Sequence, residues 1–305
     1  MNSEYRLIKS RDRLTNFATI EKFSIGILDV ASAHVLENSI NWYSDNMNMS
    51  IYVVTTNERM STNKLSSTYP KVNFICFNYM TSFGNMVNAL SSVCYSTYFF
   101  AVTSETELIR FEGAALLDCI EKDSDIIMLS PVFINASNEI AESVNKPLYE
   151  NKKIVTISSD YDLNNEKMKN LYPIYAIGLY KRALFQRLKG FDELITSPYY
   201  QMLDFGLRAH LLSYKIYTHS LLACGFKYRE SIAHDTSNEN GIKRCYTRAL
   251  CVEIENGKNY HVKCKHNFDR KLYKEEIKKY QVKLQKIDYA TLVKEWDKCA
   301  EDVED

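Results

Sequence analysis

The chain has 305 residues, 46% of them hydrophobic, and its 38 basic side chains balance 38 acidic ones. That length and apolar share support a large buried core and exclude a disordered chain. The neutral balance excludes a broad phosphate-seeking field, so no nucleic-acid partner is expected, and no apolar run approaches the ~20 residues of a membrane span.

The eight cysteines form no C-x-x-C pair. That argues against a zinc ribbon or a disulfide scaffold and for reduced thiols. The first thirteen residues are polar and lack the apolar core of a signal peptide. A cytoplasmic protein is expected, free or peripheral to a membrane.

In chain order, residues 23–28 read as a buried strand. Val35, Leu36, Ile40 and Tyr43 mark a helical face. Residues 50–55 are β-branched and strand-like, and 72–77 form another such run. Residues 84–95 have helical spacing, 98–102 a strand pattern, 107–120 helical spacing again, and 125–129 a strand pattern. This alternation predicts an α/β fold, with a mostly parallel sheet flanked by helices. Further on, 154–158 is a strand, 160–170 a polar loop, and 174–179 leads into a helix over 181–188. After Ile216 and Tyr217 the pattern loosens into a turn-rich segment at 235–241. Tyr273, Ile277, Tyr280, Leu284 and Ile287 then recur at 4-3-4-3 spacing, an amphipathic helix of about four turns. Its stripe serves either packing back on the domain or a homodimer contact.

The stretch from Tyr180 to Tyr217 is the most informative. Lys189-Gly-Phe-Asp-Glu193 follows a short apolar helix, and Leu203-Asp-Phe-Gly-Leu-Arg208 places Asp204 and Arg208 four residues apart. Upstream stand Phe23-Ser-Ile-Gly-Ile-Leu-Asp29, Ile51-Tyr-Val-Val-Thr-Thr-Asn57, Thr81-Ser-Phe-Gly-Asn-Met-Val-Asn88 and Phe99-Phe-Ala-Val-Thr-Ser-Glu-Thr106. In this order and spacing, over roughly residues 22–236, they resemble the family-2 glycosyltransferases of the GT-A fold. The resemblance implies a Rossmann-like GT-A domain at 22–236. An N-terminal extension, 1–21, precedes it, and a flexible loop with a helical C-terminal region, 237–305, follows.

The resemblance also implies a reaction. A sugar would move from a nucleotide-diphosphate donor, a UDP-sugar by the family's commonest habit, to a glycan, lipid-linked or protein acceptor. Mn2+ or Mg2+ would neutralise the leaving diphosphate. Asp29, Thr55, Gly84, Asn88 and Ser104 fall at the nucleotide-binding positions. Asp29 would accept a hydrogen bond from base or ribose, or else cap the next helix. Gly84 and Asn88 would admit the nucleotide, or else serve helix packing.

Glu105 falls on the second acid of the metal motif, with Thr103 in place of the first, and His234 is the other candidate ligand. The bland alternatives are a first-turn helix acid for Glu105 and plain surface for His234. Gln201 and Met202 stand where the family has Glu-Asp, the Asp being the base. Asp204, or else Asp192 or Glu193, would then take the proton, or the chain is a silent GT-A-like scaffold that binds sugar or a partner. Asp204 and Arg208 can also be a simple i,i+4 ion pair. Lys243, Arg244 and Arg248 would clamp a diphosphate as a loop closes, or form a solvated charged helix.

Overall fold

The computed structural model describes residues 4–10, 21–151, 153–233 and 235–297. Its first strand, β1 (Tyr5–Ile8), lies within the stretch expected as an extension and forms one edge of a ten-stranded sheet. β2 (Phe23–Leu28) leads to helix α1 (Ala33–Asn46), capped by Ser32. β3 (Ser50–Thr56) runs into the short helices α2 (Asn57–Thr62) and α3 (Leu65–Thr68). β4 (Asn73–Phe77) is followed by α4 (Phe83–Val93), capped by Ser82. β5 (Tyr98–Thr103) pairs with β2, giving the local order β1-β4-β3-β2-β5. β2 to β5 are parallel and almost wholly buried. Helices cover both faces, which is why these strands read as continuous apolar runs.

The chain then departs from expectation. Residues 107–120 are not one helix. Thr106 Oγ1 donates to Thr103 O at 2.9 Å and accepts from Thr103 N at 3.2 Å. That tight turn reverses the chain into β6 (Thr106–Phe111), and helix α5 (Gly113–Lys122) starts only afterwards. β7 (Ile126–Ile134) follows. A hairpin of β8 (Val144–Glu150) and β9 (Lys153–Ser159) stands apart as its own two-stranded sheet. β10 (Lys167–Lys169) lies inside the expected loop. β11 (Gly178–Lys181) enters antiparallel between β5 and β7, ahead of α6 (Arg182–Arg187) and α7 (Pro198–Leu211).

β12 (Lys215–Phe226) is the largest surprise, because twelve residues run parallel to β7 where the sequence pattern loosens. The remaining sheet order is β5-β11-β7-β12-β10, with β6 also on β12. β2, β3, β4, β5, β7 and β12 therefore all end at the same edge of the sheet.

Helix α8 (Ile242–Leu250) packs on α7. The predicted amphipathic helix forms as one rod, Arg270–Leu272, Tyr273–Gln281 and Val282–Leu284, whose middle is wound as a π-helix. The wider winding throws the stripe out of line. Tyr273 and Ile277 are buried against Cys251 and Val252, while Tyr280 and Leu284 face outward. The rod thus packs back on its own chain. Among the described residues no helix is long and apolar enough to cross a membrane.

One buried histidine links this packing to pH. His210 of α7 donates from Nε2 to Asn170 O at 2.9 Å and meets the Trp296 ring. Burial pushes its pKa down to about 3. An unfolded histidine takes up a proton near 6.5, so the unfolded state binds more protons between those values. Stability therefore falls as pH drops from 6.5 toward 3. The melting temperature, followed by fluorimetry, is expected to decline from pH 7 to pH 4, and H210Q is expected to show a flatter decline from a lower start.

Candidate functional site

Strands β2, β3 and β5 end side by side because their parallel registers set Leu28 against Val54 and Thr103. The residues that follow therefore meet. Asp29 is 1% exposed. Its N–H donates to Val54 O at 2.9 Å. Its Oδ2 accepts from Thr55 Oγ1 at 2.6 Å and faces Arg59 Nε at 3.2 Å. Arg59, on α2, also donates to Ala31 O at 2.8 Å. Asp29 Oδ1 is buried and makes no well-formed hydrogen bond, although the Ala31 N–H lies close enough to favour the carboxylate. Burial raises the Asp29 pKa, and the Thr55 hydroxyl and Arg59 offset only part of that rise. Ser104 completes the group, its N–H on Leu28 O at 2.9 Å and its Oγ accepting from Val30 N at 3.3 Å. Asp29, Thr55 and Ser104 thus form one strand-end cluster.

Two cavities flank this edge. One, of about 360 Å³, lies over the ends of β3 and β4 and is lined by Thr56, Arg59, Asn78 and Tyr79. The other, of about 460 Å³, lies past the ends of β7 and β12, where Thr156, Ser158, Tyr172, Tyr199 and Glu230 line it. An ion pair stands between them. Glu105, next to Ser104, accepts on Oε2 from Arg229 Nε at 2.7 Å and Nη2 at 2.6 Å. Arg229 precedes Glu230 of the second cavity. Its guanidinium lies 5.1 Å from the centre of the Tyr175 ring, which packs on Phe83 at the head of α4.

A divalent cation fits the described residues here poorly. Such an ion takes several oxygen ligands, commonly more than one carboxylate. Glu105 is one carboxylate, and its Oε2 already accepts twice from Arg229. Thr103, in place of the first acid, is buried and turned to Thr106. Among the described residues no cluster of three or more His, Cys, Asp or Glu is placed to hold a metal. His234 lies outside the described residues.

Gly84 and Asn88 are drawn elsewhere. Gly84 N–H donates to Gln201 Oε1 at 2.9 Å. A Cβ on Gly84 would stand 2.5 Å from Phe191 Cβ and 2.6 Å from Gln201 Cδ, so glycine lets α4 approach both the Phe191 turn and α7. Asn88 donates from Nδ2 to Phe191 O and accepts on Oδ1 from Phe191 N, both at 2.9 Å. That double bond-pair pins the turn at Gly190, whose φ is +58. Gly84 thus serves the α4–α7 contact and Asn88 the packing of α4 on the Gly190–Phe191 turn. Gln201 adds to the α4–α7 contact, with Nε2 on Ser82 Oγ at 3.0 Å.

Asp192 and Asp204 sit behind that contact in a buried charge network. Asp204 is wholly buried. Its Oδ2 accepts from Arg208 Nε at 2.8 Å and its Oδ1 from Arg248 Nη1 at 2.6 Å. Asp192 Oδ2 accepts from Arg248 Nη1 and Arg244 Nε, both at 2.7 Å. Burial alone would raise the Asp192 pKa, but Arg248 and Arg244 outweigh it and hold it down at about 2. Arg208 also ties Leu188 O and Gly190 O, each at 2.7 Å, and Arg248 reaches Glu276 of the C-terminal rod at 3.0 Å. These carboxylates are held by arginines in a buried ion-pair network. Arg244 and Arg248, expected at the surface or on a diphosphate, point inward to form it.

Arg59, Tyr79 and Arg229 escaped the sequence reading. Arg59 carried a usable signal, since it lies four residues after Thr55 at the opening of a helix behind a strand end. Arg229 carried none, because β12 itself was not recognised.

No family model and no curated protein matches the sequence. Solved structures do. A crystal structure of GalNAc-T7 with UDP, GalNAc and Mn2+ superposes with a TM-score of 0.58 at 10% identity, over 78% of this chain and 49% of that one. A crystal structure of S. aureus TarS superposes with a TM-score of 0.50 at 13% identity, over 77% and 40%. The chain therefore spans about half or less of these neighbours. The fold is GT-A-like, as the strand order and the shared sheet edge already indicate.

Proposed function

We propose that the chain is a glycosyltransferase that moves a sugar from a nucleoside-diphosphate donor, a UDP-sugar, to a hydroxyl acceptor on a glycan, lipid-linked or protein substrate. The observation that carries this proposal is the buried Asp29, with one oxygen held by Thr55 and Arg59 and the other making no well-formed hydrogen bond, at the central strand end of a GT-A-like sheet. A buried oxygen of that kind is costly unless a ligand completes it. The nucleoside enters the cavity over β3 and β4, where the exposed Tyr79 ring offers a stacking face. The acceptor enters the cavity past β7 and β12. The C1–O bond to the diphosphate breaks with its electron pair staying on the diphosphate. The acceptor oxygen bonds to C1, and its proton passes to a carboxylate of that cavity, Glu142, Asp160 or Glu230. GalNAc-T7 holding UDP is consistent with this donor class.

Titration calorimetry and a donor-hydrolysis assay with UDP, GDP and their sugars test the proposal. Binding of a nucleoside diphosphate and slow release of sugar are expected. Failure to bind any of them leaves the non-catalytic scaffold and removes the enzyme.

A further inference from the structure

We infer that the positive charge facing the donor's diphosphate is the Arg229 guanidinium, held by Glu105, so that donor binding does not depend on a divalent cation. The inference rests on the donor reading above and specifies its leaving-group site. Three observations converge. The single carboxylate at the end of β5 is occupied by two N–H groups of one guanidinium. The partner acid that a metal would need is replaced by the buried Thr103. And the pair stands between the strand-end cluster and the cavity that Glu230 lines.

A diphosphate joining a nucleoside in the first cavity to a sugar that faces the second must pass this point. Arg229 is one-third exposed, so its remaining N–H groups have room to turn to phosphate oxygens. A guanidinium suits them, because its planar fork matches two oxygens at once and never loses its charge. Tyr175 beneath the guanidinium and Glu105 at its edge fix its position before the donor arrives. When the C1–O bond breaks, the electron pair stays on the diphosphate beside this fixed charge.

Calorimetry on the full chain with UDP and uridine, each in EDTA and in Mn2+, tests this. UDP is expected to bind in EDTA, with Mn2+ changing the affinity by less than about 3-fold. R229A is expected to weaken UDP by ~10-fold or more while leaving uridine nearly unchanged, and R229K to recover part of the loss. E105Q separates the alternatives even if R229A fails to fold. It removes a competing negative charge and keeps an oxygen to hold the guanidinium, so UDP affinity in EDTA is expected to stay within about 3-fold of the parent. UDP binding that requires Mn2+ and is lost in E105Q overturns the inference and leaves the donor reading standing, as does an R229A protein that binds UDP like the parent. A chain that binds no UDP or GDP under either condition overturns the donor reading itself.

Discussion

R248M is expected to lower the melting temperature by about 10 °C, the largest stability effect of any single change proposed for this protein. Arg248 is the shared cation of Asp192, Asp204 and Glu276, and all but 5% of it is buried. Removing it leaves Asp204 to Arg208 and Asp192 to Arg244, each carboxylate losing one of its two cations, and breaking a buried pair costs about 3–5 kcal/mol. The same network gives an acid limb to the stability curve. Asp192 has a folded pKa of about 2, against 3.8 for an unperturbed aspartate. Its contribution is present above pH 3.8 and is lost as pH falls from there toward 2, about 2 kcal/mol in all. R248M removes most of that contribution, so its acid transition is expected to begin at higher pH. Circular dichroism melts from pH 2 to pH 7 read both effects. D204N distinguishes network from base. A variant that melts early but turns over donor normally when folded fits the network, whereas one that melts like the parent and is inactive assigns Asp204 to the chemistry.

β2 to β5, in the third of the chain before Ser104, were legible because burial on both faces leaves these strands unbroken apolar runs. Residues 23–28, 50–55 and 98–102 needed no further information, and the structure extends the last two strands by one residue each. Beyond Thr103 the signals fail for identifiable reasons. β6 has Leu108 and Ile109 at spacings that also suit a helix, and only the Thr103–Thr106 side-chain turn reverses it. β12 buries Ile216 and Thr218 in alternation but then His219 directly after them, and its register slips between His219 and Ala223, so no single period describes it. The site followed the fold. Asp29, Thr55 and Ser104 are strand-end residues of the legible part, and they come together. Gly84, Asn88, Asp192 and Asp204 belong to contacts between helices far apart in sequence. Their local motifs could not show that the amides and carboxylates are already used by Phe191, Arg244 and Arg248.

D29N is expected to do two things of opposite sign, which marks a binding residue more firmly than a simple loss. The Asp29 pKa is raised in the folded protein, chiefly by burial. For an acid this means that the folded state holds the proton more tightly, so stability is greatest below pH 3.8 and falls as pH rises through the folded pKa. The ionised carboxylate is therefore a strain on the fold, with Oδ1 making no well-formed hydrogen bond. Asparagine keeps an oxygen for Thr55 and sheds the charge, so the melting temperature at pH 7 is expected to rise by a few degrees. Donor binding is expected to weaken by about 10-fold or more, because a charged acceptor for base or ribose becomes a neutral amide. Differential scanning fluorimetry with and without UDP reads both quantities in one experiment. The free variant should melt above the parent, and the stabilisation by UDP should shrink. If D29N instead melts lower and binds UDP as the parent does, Asp29 is a structural residue of the strand ends, and the nucleoside sits elsewhere along the sheet edge.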